Sequence, residues 1–300
     1  MVEITVASRE EKEAMAAIQA AFAEIERIDA LLSSHRTDSL ISRVNREGFR
    51  AKVPVEKDIF QLIREAASFS EASGGAFDVT VWPLSKLWGF DEGGRRPSVT
   101  ELRDAVAKVG YRKLVLDQGD GSVGFTLPGM GLDLGAIAKG WAVDRAMDVL
   151  AARGMTDVIV DAGGDLRVAG SRPGKGFWRI GVQDPRDSGS LLFTLDLTDT
   201  AIVTSGDYER FFEEDGVRYH HILDPTTGMP ACGCRSVTVL APTAAEADAS
   251  ATAAFVLGAQ RGVAFLRSRP GVRGVIVDGA GSLHWSDAAL EALARGLRRP

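Results

Sequence analysis

Residues 204–230, TSGDYERFFEEDGVRYHHILDPTTGMP, decide how this chain folds. Two turn signals frame them, Asp215-Gly216 and Asp224-Pro225-Thr226-Thr227-Gly228. Between the turns, 217–223 predicts a strand, and the aromatic run before Asp215 predicts its hairpin partner. Neighbours on a strand point to opposite faces, so His220 and His221 cannot serve one site together. One is a candidate base; the other is a surface or core residue. His221 shares a face with Leu223 and lies near the end of its strand, where binding clefts are common.

On either side of this hairpin, short strands alternate with glycine turns at 158–161, 166–169, 178–183, 191–197 and 236–241. Further out, 3–7 and the pairs 113–117/124–127 and 272–278/282–285 read as strands. Helices are predicted at 9–32, 58–73, 100–108, 133–153 and 243–257, with a short helix after the last and another at the C-terminus. In the first, Met15, Ile18, Phe22, Ile25, Ile28 and Leu32 form the expected apolar stripe. Thr243 and Glu246 make a capping box. Residues 76–84 are too aromatic for a plain loop. Runs of strands joined by short turns make mostly antiparallel sheets, with helices packed on them. The expectation is an α+β fold, a single compact unit and one domain over 1–300.

The chain has 300 residues, 45% hydrophobic and 25% charged, enough for a sizeable core. A net charge of −6 argues against nucleic acid or an anionic membrane as partner. An anionic small ligand would therefore need a local cation. Cys232 and Cys234 form a lone CGC that reads as two reduced thiols rather than a zinc site. No apolar run approaches the roughly 20 residues of a membrane span. Met1-Val2-Glu3 carries no basic, apolar secretion signal, so the compartment reads as cytoplasmic.

Two motif matches fail on context. Residues 119–124, GDGSVG, fit G-x-G-x-x-G, but a strand follows where a dinucleotide fingerprint needs a helix. Residues 170–175, GSRPGK, are one residue short of a P-loop.

Three places remain for chemistry. Asp248 and Thr252 lie four residues apart on a helix, so both face one way. Both are hard oxygen ligands suited to Mg²⁺ or Ca²⁺. Their neighbours are mostly alanine, which lets a ligand or another backbone come close. The same spacing also suits an Ala-rich packing helix with a solvated Asp on an exposed-type face and a back-bonded Thr. Asp133 reads as the N-cap of a helix whose free N–H groups attract anions, with Lys139 two turns in; the alternative is a capping Asp and a solvated Lys. Gly163-Gly164-Asp165 either cradles a phosphate or simply turns the chain.

In order, GGAFDVTVWPL (74–84), DLGAIAKGWAVD (133–144), DAGGDLRVAG (161–170), TSGDYERFF (204–212), HHILDPTTGMPA (220–231) and APTAAEADASATAAFVLG (241–258) resemble the ApbE family of flavin transferases. ISRVN at 41–45 fits the family's Ser-x-x-Asn-type segment. The resemblance implies Mg²⁺ held by Asp248, Thr252 and the backbone oxygen of Ala136. It implies flavin-nucleotide contacts from Ala76, Phe77, Asp78, Asp133, Lys139 and Ile222. His35 falls where the family has a flavin-contacting Tyr, and His221 matches the histidine of its H-I-x-D-P segment. The implied activity is Mg²⁺-dependent transfer of FMN from FAD, through a phosphoester, to a Thr or Ser of a partner flavoprotein, releasing AMP. His221 would be the base. The alternatives are an FAD pyrophosphatase and a flavin-binding carrier without turnover. The family is often exported, which fits this chain if a signal has been removed.

Overall fold

The protein's structure, a computed structural model, describes residues 1–297. Its helices are α1 (Glu11–Leu32), α2 (Leu40–Glu47), α3 (Lys57–Ala72), α4 (Trp82–Trp88), α5 (Val99–Val106), α6 (Ala138–Ala151), α7 (Ala244–Arg267) and α8 (Ala288–Leu293). Its strands are β1 (Val2–Val6), β2 (Val53–Pro54), β3 (Leu114–Asp117), β4 (Ser122–Phe125), β5 (Val158–Ala162), β6 (Asp165–Ala169) and β7 (Trp178–Asp184). They continue with β8 (Asp187–Leu197), β9 (Thr200–Gly206), β10 (Phe211–Glu214), β11 (Val217–His220), β12 (Cys234–Ala241), β13 (Arg273–Asp278) and β14 (Leu283–Trp285). The fold is α+β with antiparallel pairing, as the sequence implies. Contacts cluster in two compact units. One comprises Met1–Ile28, Ile137–Gly206 and the chain from Gly233; the other comprises Asp29–Ala136 and Asp207–Cys232.

The first unit is built on a sheet ordered β1-β5-β6-β9-β12-β13-β14. Alternation along each strand splits its side chains between two faces. Leu166, Val168, Ile202, Leu240, Val275 and Val277 pack with Trp178, Phe193 and Leu195 of the β7–β8 ribbon. On the other face α7 lies over β9, β12 and β13, and α6 over β5 and β6. Both faces are therefore covered, so β12 is buried along almost its whole length. By length and composition α7 is the one helix among the described residues that could cross a membrane. Here it is a core helix, interrupted at Gly258, where φ is +77°.

The predicted first helix forms, but the deepest face of its first half is rotated from the expected one. In its first half Ala14, Ala17 and Ala21 are buried while Met15 is 52% exposed; in its second half Ile28 and Leu32 of the expected stripe are buried. Small side chains bring a helix backbone close to its neighbours, and in the first half that outweighs the size of the expected apolar residues.

In the second unit α4 and α5 pack around the β10–β11 hairpin. Leu84, Trp88, Ala105, Val109, Tyr219 and Leu223 form its core. Trp88 donates its indole N–H to the Gly228 carbonyl at 2.7 Å. The expected strand at 217–223 ends at His220, and its partner is Phe211–Glu214. The turn after it is an Asx turn: Asp224 Oδ1 accepts from the Thr226 N–H and hydroxyl at 2.8 and 2.7 Å.

Candidate active site

In the first unit, β5 and β6 are joined by Gly163-Gly164, with φ of 63° and 93°. Positive φ at both positions is what a two-residue hairpin requires, so this motif makes a turn. Its consequence is the placement of Asp165, paired with Ala162 at the head of β6 and fully buried. Lys139 forms an ion pair with Asp165 Oδ1. Asp248 is also buried, at 4% exposure, which corrects the expectation of an exposed face. Its Oδ2 accepts the Gly140 N–H at 3.2 Å. The Ala-rich sequence around Asp248 forms a close-packed face, the close approach that its small side chains allow. Thr252 is half-buried, one turn further along α7.

The helix carrying Lys139 starts later than expected. Asp133 is not its N-cap; α6 begins at Ala138 after Ile137. Asp133 belongs to an extended segment of the second unit: its N–H bonds to Val79 O at 2.8 Å, and its Oδ1 accepts from Gly135 N at 2.9 Å. The local Asx turn and the bridge to Val79 hold the chain out of helical geometry there. Lys139 therefore stands in the first turn of α6, where free N–H groups add to its positive charge.

Burial, and then the Asp165 charge, push Asp248 well above the usual carboxylate range. Burial raises Asp165 too, but Lys139 opposes it. Two buried carboxylates share one ammonium, so without a cation Asp248 is the one that holds a proton. Asp165 and Asp248 are hydrogen-bonded to each other, an interaction that favours the proton on Asp248. Among the described residues no three His, Cys, Asp or Glu side chains converge as a metal site. The available donors are two carboxylates and the Thr252 hydroxyl, all hard oxygens. This set fits Mg²⁺ rather than zinc, and a divalent cation would relieve the excess buried negative charge.

The second unit holds the other candidates. Ala76 is half-buried and Phe77 is buried, its ring edge-on to Phe69 at 6.1 Å. Asp78 accepts from Thr80 N, Thr80 Oγ1 and Tyr111 N at 2.8, 2.6 and 2.8 Å. Burial nevertheless raises its pKa. Phe77 and Asp78 thus fasten the loop, and what this loop offers a nucleotide is mainly backbone. An open cleft beside it is lined by Gly75, Asp78, Tyr111, Lys113, Pro225 and Thr226. Asn45, which sequence reasoning did not single out as a site residue, donates to Leu132 O and accepts from Leu132 N, at 2.9 and 2.7 Å. It fixes the backbone just before Asp133. Its only sequence signal is the ISRVN segment. Ala136 ends this unit's stretch, three residues before Lys139.

The two histidines separate cleanly. His220 is buried; its Nε2 meets the Ala231 carbonyl at 2.9 Å, and its Nδ1 accepts from Ile222 N at 3.3 Å. A carbonyl only accepts, so Nε2 carries the proton and Nδ1 is occupied. Burial also lowers its pKa. His220 is the core residue. His221 directs Nδ1 at the Arg210 carbonyl, 3.3 Å away, and its backbone N–H bonds the same oxygen at 3.0 Å. The proton therefore sits on Nδ1, which makes Nε2 the basic nitrogen. Arg210 also pairs with Asp91 at 3.2 Å, and Asp91 lies 3.4 Å from His35. His35 and His221 are thereby linked through Asp91 and Arg210. Ile222 is buried, with its carbonyl accepting from Ala231 N at 2.8 Å. Cys232 is exposed and Cys234 buried, and the two are not joined in a disulfide.

The first unit thus holds a buried carboxylate pair beside Lys139, and the second a histidine whose tautomer its hydrogen bond fixes. The ApbE family model matches residues 1–276. A FAD:protein FMN transferase of Treponema pallidum is 37% identical over 88% of this chain and 78% of its own length. One from Klebsiella pneumoniae is 36% identical over 85% and 80%. The crystal structure of the ApbE protein from Thermotoga maritima superposes with a TM-score of 0.90 at 37% identity, covering 98% of this chain and 96% of that one. Flavin transferase ApbE from Vibrio cholerae, in a histidine-to-glycine variant, gives 0.83 at 31% identity over 97% and 95%. The chain belongs to the ApbE family and is a transferase.

Proposed function

We propose that this chain is a Mg²⁺-dependent FAD:protein FMN transferase, working as one functional domain over 1–300 and attaching FMN through a phosphoester to a Thr or Ser of a flavoprotein acceptor. The observation that carries the reading is the buried Asp165–Asp248 pair beside Lys139, a cation-seeking cluster at a helix start. Kinship with FAD:protein FMN transferases supplies the substrate.

Asp248 and Thr252, with the Ala136 carbonyl, would hold Mg²⁺, which when bound neutralises pyrophosphate oxygens and eases departure of the leaving phosphate. Lys139 and the first turn of α6 add positive potential for the diphosphate. The loops at 76–78 and 133 and the residues His35 and Ile222 are assigned to binding the flavin nucleotide. Asp165 acts by holding Lys139, and the Gly163-Gly164 turn acts by placing Asp165. His221 Nε2 accepts the proton of the acceptor hydroxyl as its oxygen bonds to the FMN phosphorus. The bond from that phosphorus to the bridging oxygen breaks, and AMP leaves with the electron pair.

The test is incubation with FAD, Mg²⁺ and a candidate acceptor protein. Flavin on the acceptor together with free AMP is the expected result. Free FMN and AMP with an unmodified acceptor would replace the reading by a pyrophosphatase, and intact FAD by a carrier.

A further inference from the structure

We infer that Asp144 is a positioning residue for Asp248, acting through the first turn of α7. Asp144 is buried, and neither its charge nor its place in α6 is used by the chemistry above. Its Oδ1 accepts the Ala244 N–H and its Oδ2 the Ala245 N–H, each at 2.9 Å. These are two of the free donors that open α7. Arg167 of β6 donates to Oδ1 at 2.7 Å and fixes the carboxylate from the sheet side. Burial raises the pKa of Asp144, and those two N–H groups and Arg167 oppose the rise.

Asp144 and Gly140 lie on one face of α6, four residues apart. Gly140 touches the same partner helix, because a Cβ there would come within 2.3 Å of Ala244 O. Its N–H is the one bonded to Asp248. One face of α6 thus grips α7 twice, at the backbone of Ala244–Ala245 and at the Asp248 carboxylate a turn later. Thr243 caps the same end of α7 independently, accepting Glu246 N at 3.2 Å, so the helix would start without Asp144. What Asp144 adds is the fixed seating of that start against α6 and β6. Loosening it should move Asp248 relative to Asp165 and Lys139 while leaving the helix formed.

The inference rests on the proposed Mg²⁺ role of Asp248. The experiment measures the half-saturating Mg²⁺ concentration for AMP release and the Mg²⁺-induced rise in melting temperature without FAD. It compares wild type, Asp144→Asn and Leu195→Ala, a control in the core on the sheet's opposite face from α6 and α7. Asp144→Asn should raise the Mg²⁺ midpoint roughly tenfold or more, the scale seen when a group that orients a metal ligand is lost. It should also shrink the Mg²⁺-induced thermal shift while keeping kcat at saturating Mg²⁺ within about threefold of wild type. Leu195→Ala should lower the melting temperature and leave the midpoint alone. If Asp144→Asn does not fold, Arg167→Gln is read for the same displacement in smaller measure. An unchanged midpoint in whichever variant folds, with wild type responding to Mg²⁺, overturns the inference alone. A wild type indifferent to Mg²⁺ in both readouts overturns the metal role of Asp248 and this inference with it.

Discussion

His220 and His221 are adjacent, yet their hydrogen bonds give them different work. His221→Ala should lower turnover by about 10²–10⁴-fold, the usual contribution of a general base. FAD binding, followed by flavin fluorescence, should persist; loss of binding with loss of rate would make His221 a substrate contact instead. His220→Ala should act on stability. It strips partners from the buried Ile222 N–H and Ala231 carbonyl, at about 1–3 kcal/mol for an unsatisfied buried group. Urea unfolding would detect this, and an unchanged midpoint would contradict the core role. Asp248 yields a pH prediction. Its pKa is raised in the folded state, so its contribution is fully present below the unfolded value of 3.8 and is lost as pH rises through the folded value. Metal-free protein should therefore lose stability from about pH 4 upward. Asp248→Asn should flatten that slope and stabilise metal-free protein at pH 8 relative to wild type. Parallel stability curves for variant and wild type would refute the buried-proton account.

Among the elements, those with a clear period or with turn and capping signals are legible from sequence, and two short helices are not. The 22 residues of α1 and the hairpins with Gly-Gly or Asp-Gly turns announced themselves. The 8-residue α2 and 7-residue α4 do not: neither spans enough turns to show a period, and neither has the full Ser98–Glu101 capping box that marks the equally short α5; α4 also starts with Trp82-Pro83. The start of α6 was misplaced for a related reason. Asp133 has the chemistry of a cap, but its bond to Val79, more than fifty residues back in the chain, together with the Asx turn to Gly135, holds that segment out of the helix. For the site, residue types and the i, i+4 pairing of Asp248 with Thr252 were visible. The burial of Asp248, its neighbour Asp165 and the clamp from Asp144 are tertiary facts that no local pattern encodes. Gly228 lies between these cases. The sequence marks it as a turn glycine, and the structure adds φ of 72° with Val106 and Leu84 at 2.9 and 3.0 Å from any added Cβ. Gly228→Ala should cost about 1–2 kcal/mol in backbone strain, plus about 1–3 kcal/mol in overpacking. A melting temperature equal to wild type would show that the turn relaxes freely.

For the molecule as a whole, ligand linkage gives a direct test. A ligand that binds only folded protein stabilises it by RT ln(1 + [L]/Kd), about 2.7 kcal/mol at a hundredfold excess over Kd. FAD should raise the melting temperature more than FMN, which lacks the adenylate and the second phosphate. A larger shift with NAD than with FAD would argue for a different nucleotide. The other whole-molecule consequence comes from how the chain is threaded. It passes from one compact unit to the other after Ile28, Ala136, Gly206 and Cys232. A gene cut between codons 136 and 137 would separate β1 from its partner β5, and the β10–β11 hairpin from Trp88. Each half-gene product should stay unfolded alone, and the two co-expressed should recover native circular dichroism. The same threading means that neither unit could have been gained or lost as a single uninterrupted block of DNA. Recombination within this lineage would have to exchange the weave whole.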